Sequence, residues 1–311
     1  MTPARRGWVA PAALVFFAAF LSIVNPGLLI FVPLALLLIA LPPRRPGLVF
    51  LAAAILAIAV VDPPSDPMWW WVSRGWALLL GAWFVVFVVL LPRAAFLSRA
   101  LAALAGSAAS AVVVFVTGPG GFAQVDGSVV QRLREGAATL AAVWNRSGNN
   151  GSGALTPSAM EAMNRAAELQ ALIFPALLGL ASIAALAVAW WLWRRFAEGE
   201  TFGLGPLRQF RFRDELVWLV VIAIVLIVLP FDDAITRTGA NLATFMGALY
   251  ALRGLAVIVS LFGTPGWFGV VLSIVMVLFL FPMVLACTLV VGLTDTWLDL
   301  RARAQQPPAG T

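Results

Sequence analysis

The sequence predicts an all-α, polytopic transmembrane helix bundle of eight or nine spans. Three observations carry that expectation. Hydrophobic residues make up 62% of the 311-residue chain and charged residues 11%, whereas a soluble domain carries about 25% charged residues. The apolar residues gather into long runs, separated by Pro, Gly and Asn turn signals. The arginines cluster between those runs, as they do in cytoplasmic loops of membrane proteins. A soluble fold cannot hide so much apolar side chain beneath a polar surface, but a bilayer solvates it directly.

In chain order the runs are Trp8–Val24, Leu28–Leu41, Leu48–Val61, Trp69–Leu91, Phe96–Val116, Leu172–Trp193, Leu216–Leu229, Asn241–Phe262 and Trp267–Leu293. The fourth, fifth, sixth, eighth and ninth reach the ~20 residues that a spanning helix needs. The second, third and seventh hold 14 residues each. At 1.5 Å per residue such a helix covers about 21 Å, short of a ~30 Å hydrocarbon core. Those three must borrow flanking residues, thin the bilayer or sit inside the bundle.

The links between runs are chemically distinct. Asn25-Pro26-Gly27, the Pro42–Gly47 link with Arg44 and Arg45, and the Asp62–Pro67 link all stop a helix. Trp69, Trp70, Trp71 and Trp76, and again Trp190, Trp191 and Trp193, are placed to form interfacial belts. Arg5 and Arg6 ahead of the first run imitate a secretory signal. The many later runs favour a retained first helix. Residues 1–117 are thus expected to form N-terminal transmembrane hairpins. Residues 118–170 form an extracytoplasmic insertion, 171–303 a second transmembrane region, and 304–311 a disordered tail.

In that insertion Val129, Leu133, Ala137, Leu140 and Trp144 recur at helical spacing, predicting an amphipathic helix on the membrane surface. Ser147–Gly153 reads as a flexible link, and Thr156-Pro157 with Ser158…Glu161 as the start of another helix. With the N-terminus cytoplasmic, Arg44/Arg45, Arg93/Arg99 and the basic linker 194–215 all fall inside. Three further spans would leave the C-terminus outside, against the preference of Arg301 and Arg303. Either one late segment stops short of spanning or the tail breaks the rule.

The formal charge is +6 with no Lys, and its clustering marks topology and not nucleic-acid binding. There is no His and one Cys, Cys287, expected to act as a small buried hydrophobe. That composition excludes the usual zinc sites, a disulfide within the chain and His-dependent catalysis. Gly118–Gly121 lacks the Lys-Ser/Thr of a phosphate loop, and Gly203-Leu204-Gly205 lacks a dinucleotide-binding context. No cofactor, metal, catalytic residue or ATPase of its own is therefore expected.

Arg253 is the sharpest single feature. It stands near the middle of an apolar run, where a charge costs about 2.5–3.5 kcal/mol or more. Tyr250 shares its face. One reading is an anion contact in a cavity. The other is a structural pair with Asp232 or Asp233, or snorkelling to an interface. Asp232 and Asp233 suit an ion gate or a solvated loop. Asp295 and Asp299, four residues apart, suit a proton or ion site, or an end-of-helix set with Arg303. Asn25 is a candidate for a broken-helix ligand contact or a plain turn, and Asn241 for a ligand or interhelical hydrogen bond.

The second half carries a resemblance. Phe202…Pro206-Leu-Arg-Gln-Phe-Arg-Phe-Arg213, Asn241…Leu249-Tyr250…Gly254-Leu-Ala-Val-Ile258 and Gly292-Leu-Thr-Asp295-Thr-Trp297-Leu-Asp299-Leu-Arg301 resemble the YybS-like family of bacterial multi-span membrane proteins. The family pattern carries Gln where Arg253 stands. The resemblance implies a bacterial inner-membrane protein, distantly similar to substrate-binding subunits of energy-coupling-factor transporters. Such subunits bind a small molecule and borrow an ATPase pair through a coupling membrane protein.

The expected function is small-molecule binding or transport as a substrate-capture subunit, with Asn25, Asn241, Tyr250 and Arg253 as ligand contacts. The alternative is a non-transporting membrane scaffold or assembly factor. A membrane-embedded lipid enzyme using the Asp232/Asp233 or Asp295/Asp299 pairs ranks third.

Overall fold

The computed structural model describes residues 9–22, 24–42, 46–61, 67–117, 121–147, 156–199, 207–263 and 267–305. Every regular element among them is helical. The Arg44/Arg45 turn, the Asp62–Asp66 acidic link, the link from 148 to 153, Gly203-Leu204-Gly205 and the tail from 306 lie outside the described residues. Ala304 and Gln305, expected in that tail, are helical. The chain divides into two compact units, Met1–Gly203 and Leu204–Thr311, so the boundary falls inside the basic linker.

The first unit contains α1 (Val9–Leu21), α2 (Pro26–Ala40), α3 (Gly47–Val61), α4 (Pro67–Trp70), α5 (Trp76–Leu90), α6 (Phe96–Thr117), α7 (Phe122–Ser147), α8 (Pro157–Leu172) and α9 (Phe174–Trp193). The second contains α10 (Val217–Val228), α11 (Asp233–Phe262), α12 (Trp267–Leu298) and α13 (Leu300–Gln305). Among the described residues, five stretches are long and apolar enough to cross a membrane: Val72–Leu90, Phe96–Thr117, Phe174–Ala197, Asp233–Phe262 and Phe279–Leu298. They correspond to the five runs singled out by length. α1, α2, α3 and the 12-residue α10 are shorter.

α9 is the axis of the first unit and packs against α1, α2 and α6. Its sequence, FPALLGLASIAALAVAWWLW, is rich in Ala. Small side chains let neighbouring backbones approach closely, which is how helices pack without a hydrophobic drive. The outcome is 78% burial of its most apolar stretch, against 17% for α6. α5 meets α2 in the same way, because a Cβ on Gly81 would press on the Pro33 backbone.

Polar contacts fix the two ends of this bundle. At one end the Arg99 guanidinium donates to the carbonyls of Leu91 (3.0 Å) and Pro92 (2.6 Å), and the Trp193 indole donates to the carbonyl of Leu41 (3.3 Å). At the other, Arg74 donates to the Ala59 carbonyl, while Arg132 of α7 lies over the Trp69 ring at 5.0 Å. Trp191 and Trp193, expected in an interfacial belt, are buried in the core, and Trp190 stacks on Trp193 at 4.9 Å. The central position of α9 leaves its aromatic end facing other helices.

The insertion forms two helices that pack together, α7 and α8. The Thr156 hydroxyl caps α8 by accepting from the Ala159 amide at 3.3 Å. On α7 the expected apolar stripe divides: Val129 is buried, while Leu140 and Trp144 are exposed. In the second unit α11 packs on α10 at Gly239 and on α12 at Gly254. α12 breaks at Leu280 (φ −120°, ψ 27°), two residues before Pro282, whose ring and missing N–H disrupt the preceding turn. Cys287 is exposed on α12 and not buried.

Candidate functional site

The second unit buries a charge cluster where α11, α12 and residues 210–214 meet. α11 turns one continuous stripe inward: Met246, Leu249, Tyr250, Arg253, Gly254 and Val257 are all buried. The spacing is that of one helix face. Arg253 therefore belongs to the interhelical seam and not to the outer surface. The seam closes to backbone contact next to it. A Cβ on Gly254 would overlap the Thr288 carbonyl oxygen, and one on Gly292 would overlap the Tyr250 carbonyl oxygen. These two glycines set the depth at which Arg253 and Asp295 face each other.

Arg253 and Asp295 are 0% and 1% exposed. The Arg253 Nε donates to Asp295 Oδ2 at 3.0 Å, and its Nη1 donates to Asp214 Oδ1 at 2.7 Å. Arg301 donates from Nη2 to the same Asp295 Oδ2 at 3.3 Å and to the Phe210 carbonyl at 3.1 Å. On the outer side Arg211 pairs with Asp214 at 3.3 Å and with Asp299 at 3.5 Å. Three arginines and three aspartates thus form one charge-balanced set.

Residues 210–213 reach the cluster by strand-like alternation. Phe210 and Phe212 turn inward while Arg211 and Arg213 are exposed, as expected where successive side chains point to opposite sides. Phe212 packs against both Tyr250 and Arg253. Its ring meets Tyr250 edge-on at 5.1 Å and receives the Arg253 guanidinium at 5.3 Å. Cation–π contact of this kind strengthens when desolvated.

Asp214 sits at the rim, outside the spanning stretches. Burial pushes its carboxyl up, but the hydrogen bonds and charges of Arg253 and then Arg211 more than offset this and hold it below the usual carboxylate range. Burial likewise lowers Arg211, and Asp214, Asp299 and Asp295 together raise it above its ordinary value. The charged forms on both sides of the rim reinforce each other.

Three buried polar atoms in this cluster have no hydrogen-bond partner among the described residues: Arg253 Nη2, Asp295 Oδ1 and the Tyr250 hydroxyl. The Tyr250 hydroxyl lies beside Thr296. Buried polar groups are normally satisfied, so three orphans in one place ask for a water or a ligand.

The sequence candidates separate accordingly. Tyr250, Arg253 and Asp295 come together. Arg253 pairs with Asp214 and Asp295, and not with Asp232 or Asp233, the partners named in one of its two readings. The latter two are exposed at the start of α11, where negative charge suits the helix N-terminus. Asp295 and Asp299 both join the cluster, Asp295 through Arg253 and Arg301 and Asp299 through Arg211. Asp299 adopts φ 43° between α12 and α13, while its amide still donates to the Asp295 carbonyl and its carbonyl accepts from the Arg303 amide, each at 3.2 Å. Asn241 donates to the Arg237 carbonyl one turn back, at 2.9 Å. Asn25 belongs to the first unit and caps α2, its Oδ1 accepting from the Gly27 amide at 2.9 Å. Asp214, Phe212, Arg211 and Arg301 were not among the expected site residues, although Arg211, Phe212 and Arg301 lie in the stretches that carry the family resemblance. The alternation Phe210-Arg211-Phe212-Arg213-Asp214 was the available signal. Among the described residues no His, Cys, Asp and Glu side chains are grouped to hold a metal ion.

A family model described as "Predicted membrane protein (DUF2232)" matches residues 9–296. No curated protein and no solved structure matches the chain.

Proposed function

Starting from a chain that belongs to the DUF2232 family of predicted membrane proteins, we propose that it binds a small polar molecule at the Arg253–Asp295 cluster and serves as a substrate-capture subunit for transport. The observation that carries this reading is the set of three orphaned buried polar atoms on Arg253, Asp295 and Tyr250. A charge pair kept only for packing gains nothing by leaving a guanidinium nitrogen and a carboxylate oxygen unsatisfied side by side, since each costs about 1–3 kcal/mol. Binding and not catalysis is assigned, and the energy for movement comes from a partner ATPase acting through a coupling membrane protein.

The same reading places the protein in a bacterial cytoplasmic membrane with its N-terminus inside and eight spans. Contacts within the second unit support the even number. Arg301 bonds the Phe210 carbonyl, and Arg211 pairs with Asp299. These contacts support a topology in which the end of the basic linker and the end of α12 share a side and α10, α11 and α12 contribute two crossings between them. Single cysteines replacing Gln209 and Arg303 in a Cys287→Ser background test this. Both are expected to react with an impermeant maleimide only from the cytoplasmic side, and opposite labelling removes the eight-span topology.

Ligand capture is tested by native mass spectrometry of the full chain, purified in mild detergent from its own host. The expected result is a reproducible small-molecule adduct that disappears in Arg253→Gln and weakens in Tyr250→Phe. A ligand-free wild type that retains only other proteins favours the scaffold reading instead, with the exposed Arg211 and Arg213 as its docking face.

A further inference from the structure

The chemistry of the orphaned atoms narrows the ligand. A guanidinium presents Nε–H and one Nη2–H along a single edge, the two-pronged fork that a carboxylate ordinarily fills with both oxygens. Asp295 fills one prong only. Its Oδ2 takes Nε at 3.0 Å and also accepts from Arg301 at 3.3 Å. The other donor of that edge, Arg253 Nη2, and the other oxygen of the same carboxylate, Asp295 Oδ1, are both buried and unpartnered. Tyr250, one turn before Arg253 on the same helix face, adds a hydroxyl able to donate or accept.

Charge decides between ligand classes. The pairs around this edge involve three arginines and three aspartates, so the site has no net charge to offer a lone ion. An anion placed on Arg253 Nη2 would face Asp295 Oδ1. A cation placed on Asp295 Oδ1 would face the guanidinium. A neutral group carrying an acceptor beside a donor satisfies both atoms without a desolvated charge. Phe212, which covers Arg253 and meets Tyr250 edge-on, supplies an apolar wall suited to a flat group.

We propose that the Arg253–Asp295–Tyr250 site recognises the edge of a neutral planar amide, ureide or lactam, its carbonyl accepting from Arg253 and its N–H donating to Asp295. The inference rests on the ligand-binding reading above and adds the chemical class.

Three probes of one shape and three charges test it: benzamide, benzoate and benzamidinium, titrated against the full chain in lipid nanodiscs by saturation-transfer NMR. Benzamide is expected to bind at least about tenfold tighter than either ion, the penalty of one mismatched buried polar contact. Asp295→Asn replaces the acceptor charge and is expected to move the preference to benzoate. Tyr250→Phe should weaken benzamide and leave the order unchanged, and it tests the site even if the Asn variant fails to fold. Benzoate or benzamidinium leading in the wild type overturns the neutral class while the capture reading stands. Binding of none of the three, with an adduct in native mass spectrometry, also overturns the class alone. Binding of none, with no adduct, reduces the site to a buried water bridging the two atoms and ends both.

Discussion

The two units handle buried polarity in opposite ways. In the first, each buried polar side chain among the described residues finds a partner. Ser107 donates to the Ala103 carbonyl at 2.7 Å, Ser73 to the Trp69 carbonyl at 2.8 Å, and Ser182 accepts from the Trp76 indole at 3.0 Å. Its buried arginine, Arg99, covers carbonyls at the end of α5 and lies over the Trp190 ring at 5.5 Å. Positive charge at a helix C-terminus is favourable in its own right. In the second unit the buried arginine meets carboxylates from two other segments and still leaves atoms unsatisfied. Helix packing accounts for the first arrangement and not for the second. The difference sets the α11–α12 seam apart from ordinary helix packing.

The largest effect is expected where that seam is tightest. Gly254→Ala places a methyl group onto the Thr288 carbonyl. Backbone cannot give way as a side-chain tip does, so the helices must separate, at a cost of about 3 kcal/mol or more. Gly247→Ala on the same helix is the control, since a Cβ there meets nothing within 4 Å. It should be neutral or gain up to about 1 kcal/mol from helix propensity. Unfolding of both variants in detergent measures the contrast, and equal midpoints would dissolve the claim that the seam is closed by glycine.

Next comes a comparison of the two buried arginines. Arg253→Met strands Asp295 in the interior and should cost about 3–5 kcal/mol. Arg99→Met exposes carbonyls that other donors can satisfy, and should cost about 1–2 kcal/mol. Adding Asp295→Leu to Arg253→Met is expected to recover part of the loss, because replacing a buried pair by apolar groups is far milder than breaking it. No recovery in the double variant would mean that Asp295 is held chiefly by Arg301.

Much of this architecture was legible in the residues. The five long runs became the five helices of spanning length because apolar length and the Pro-Gly breaks are local properties. Arg253 stood out because a charge in such a run is rare. Its partners did not, because pairing is set by how α11 and α12 cross. That crossing depends on Gly254 and Gly292, 38 residues apart and unremarkable one at a time. The spacing of Asp295 and Asp299 was legible, and both carry charge into the cluster through different arginines. The φ of 43° at Asp299 was not, because no glycine marks it. The Trp190–Trp193 cluster misled because aromatic belts and aromatic cores have the same composition. Only the burial of α9 distinguishes them.

The smallest effect concerns the rim, where the seam meets water. Asp214 ionises more readily in the folded protein than its ordinary value of about 3.9. Folding therefore favours its charged form. The stability it contributes is complete above that ordinary value and is lost as pH falls through the lower folded one. Arg253 and Arg211 are the groups that face the carboxylate. Stability should therefore be flat in Asp214 from neutral pH to about pH 5 and should fall below about pH 4. Asp214→Asn should remove that acid-dependent part while lowering stability slightly at neutral pH, because the side chain is 43% exposed and its pair is screened by solvent. Unfolding midpoints from pH 3 to 8 for both proteins give the difference curve. A difference that persists unchanged at pH 3 would show that Asp214 holds the linker by shape and not by charge. The second unit would then keep its buried Arg253 with only Asp295 as an electrostatic partner.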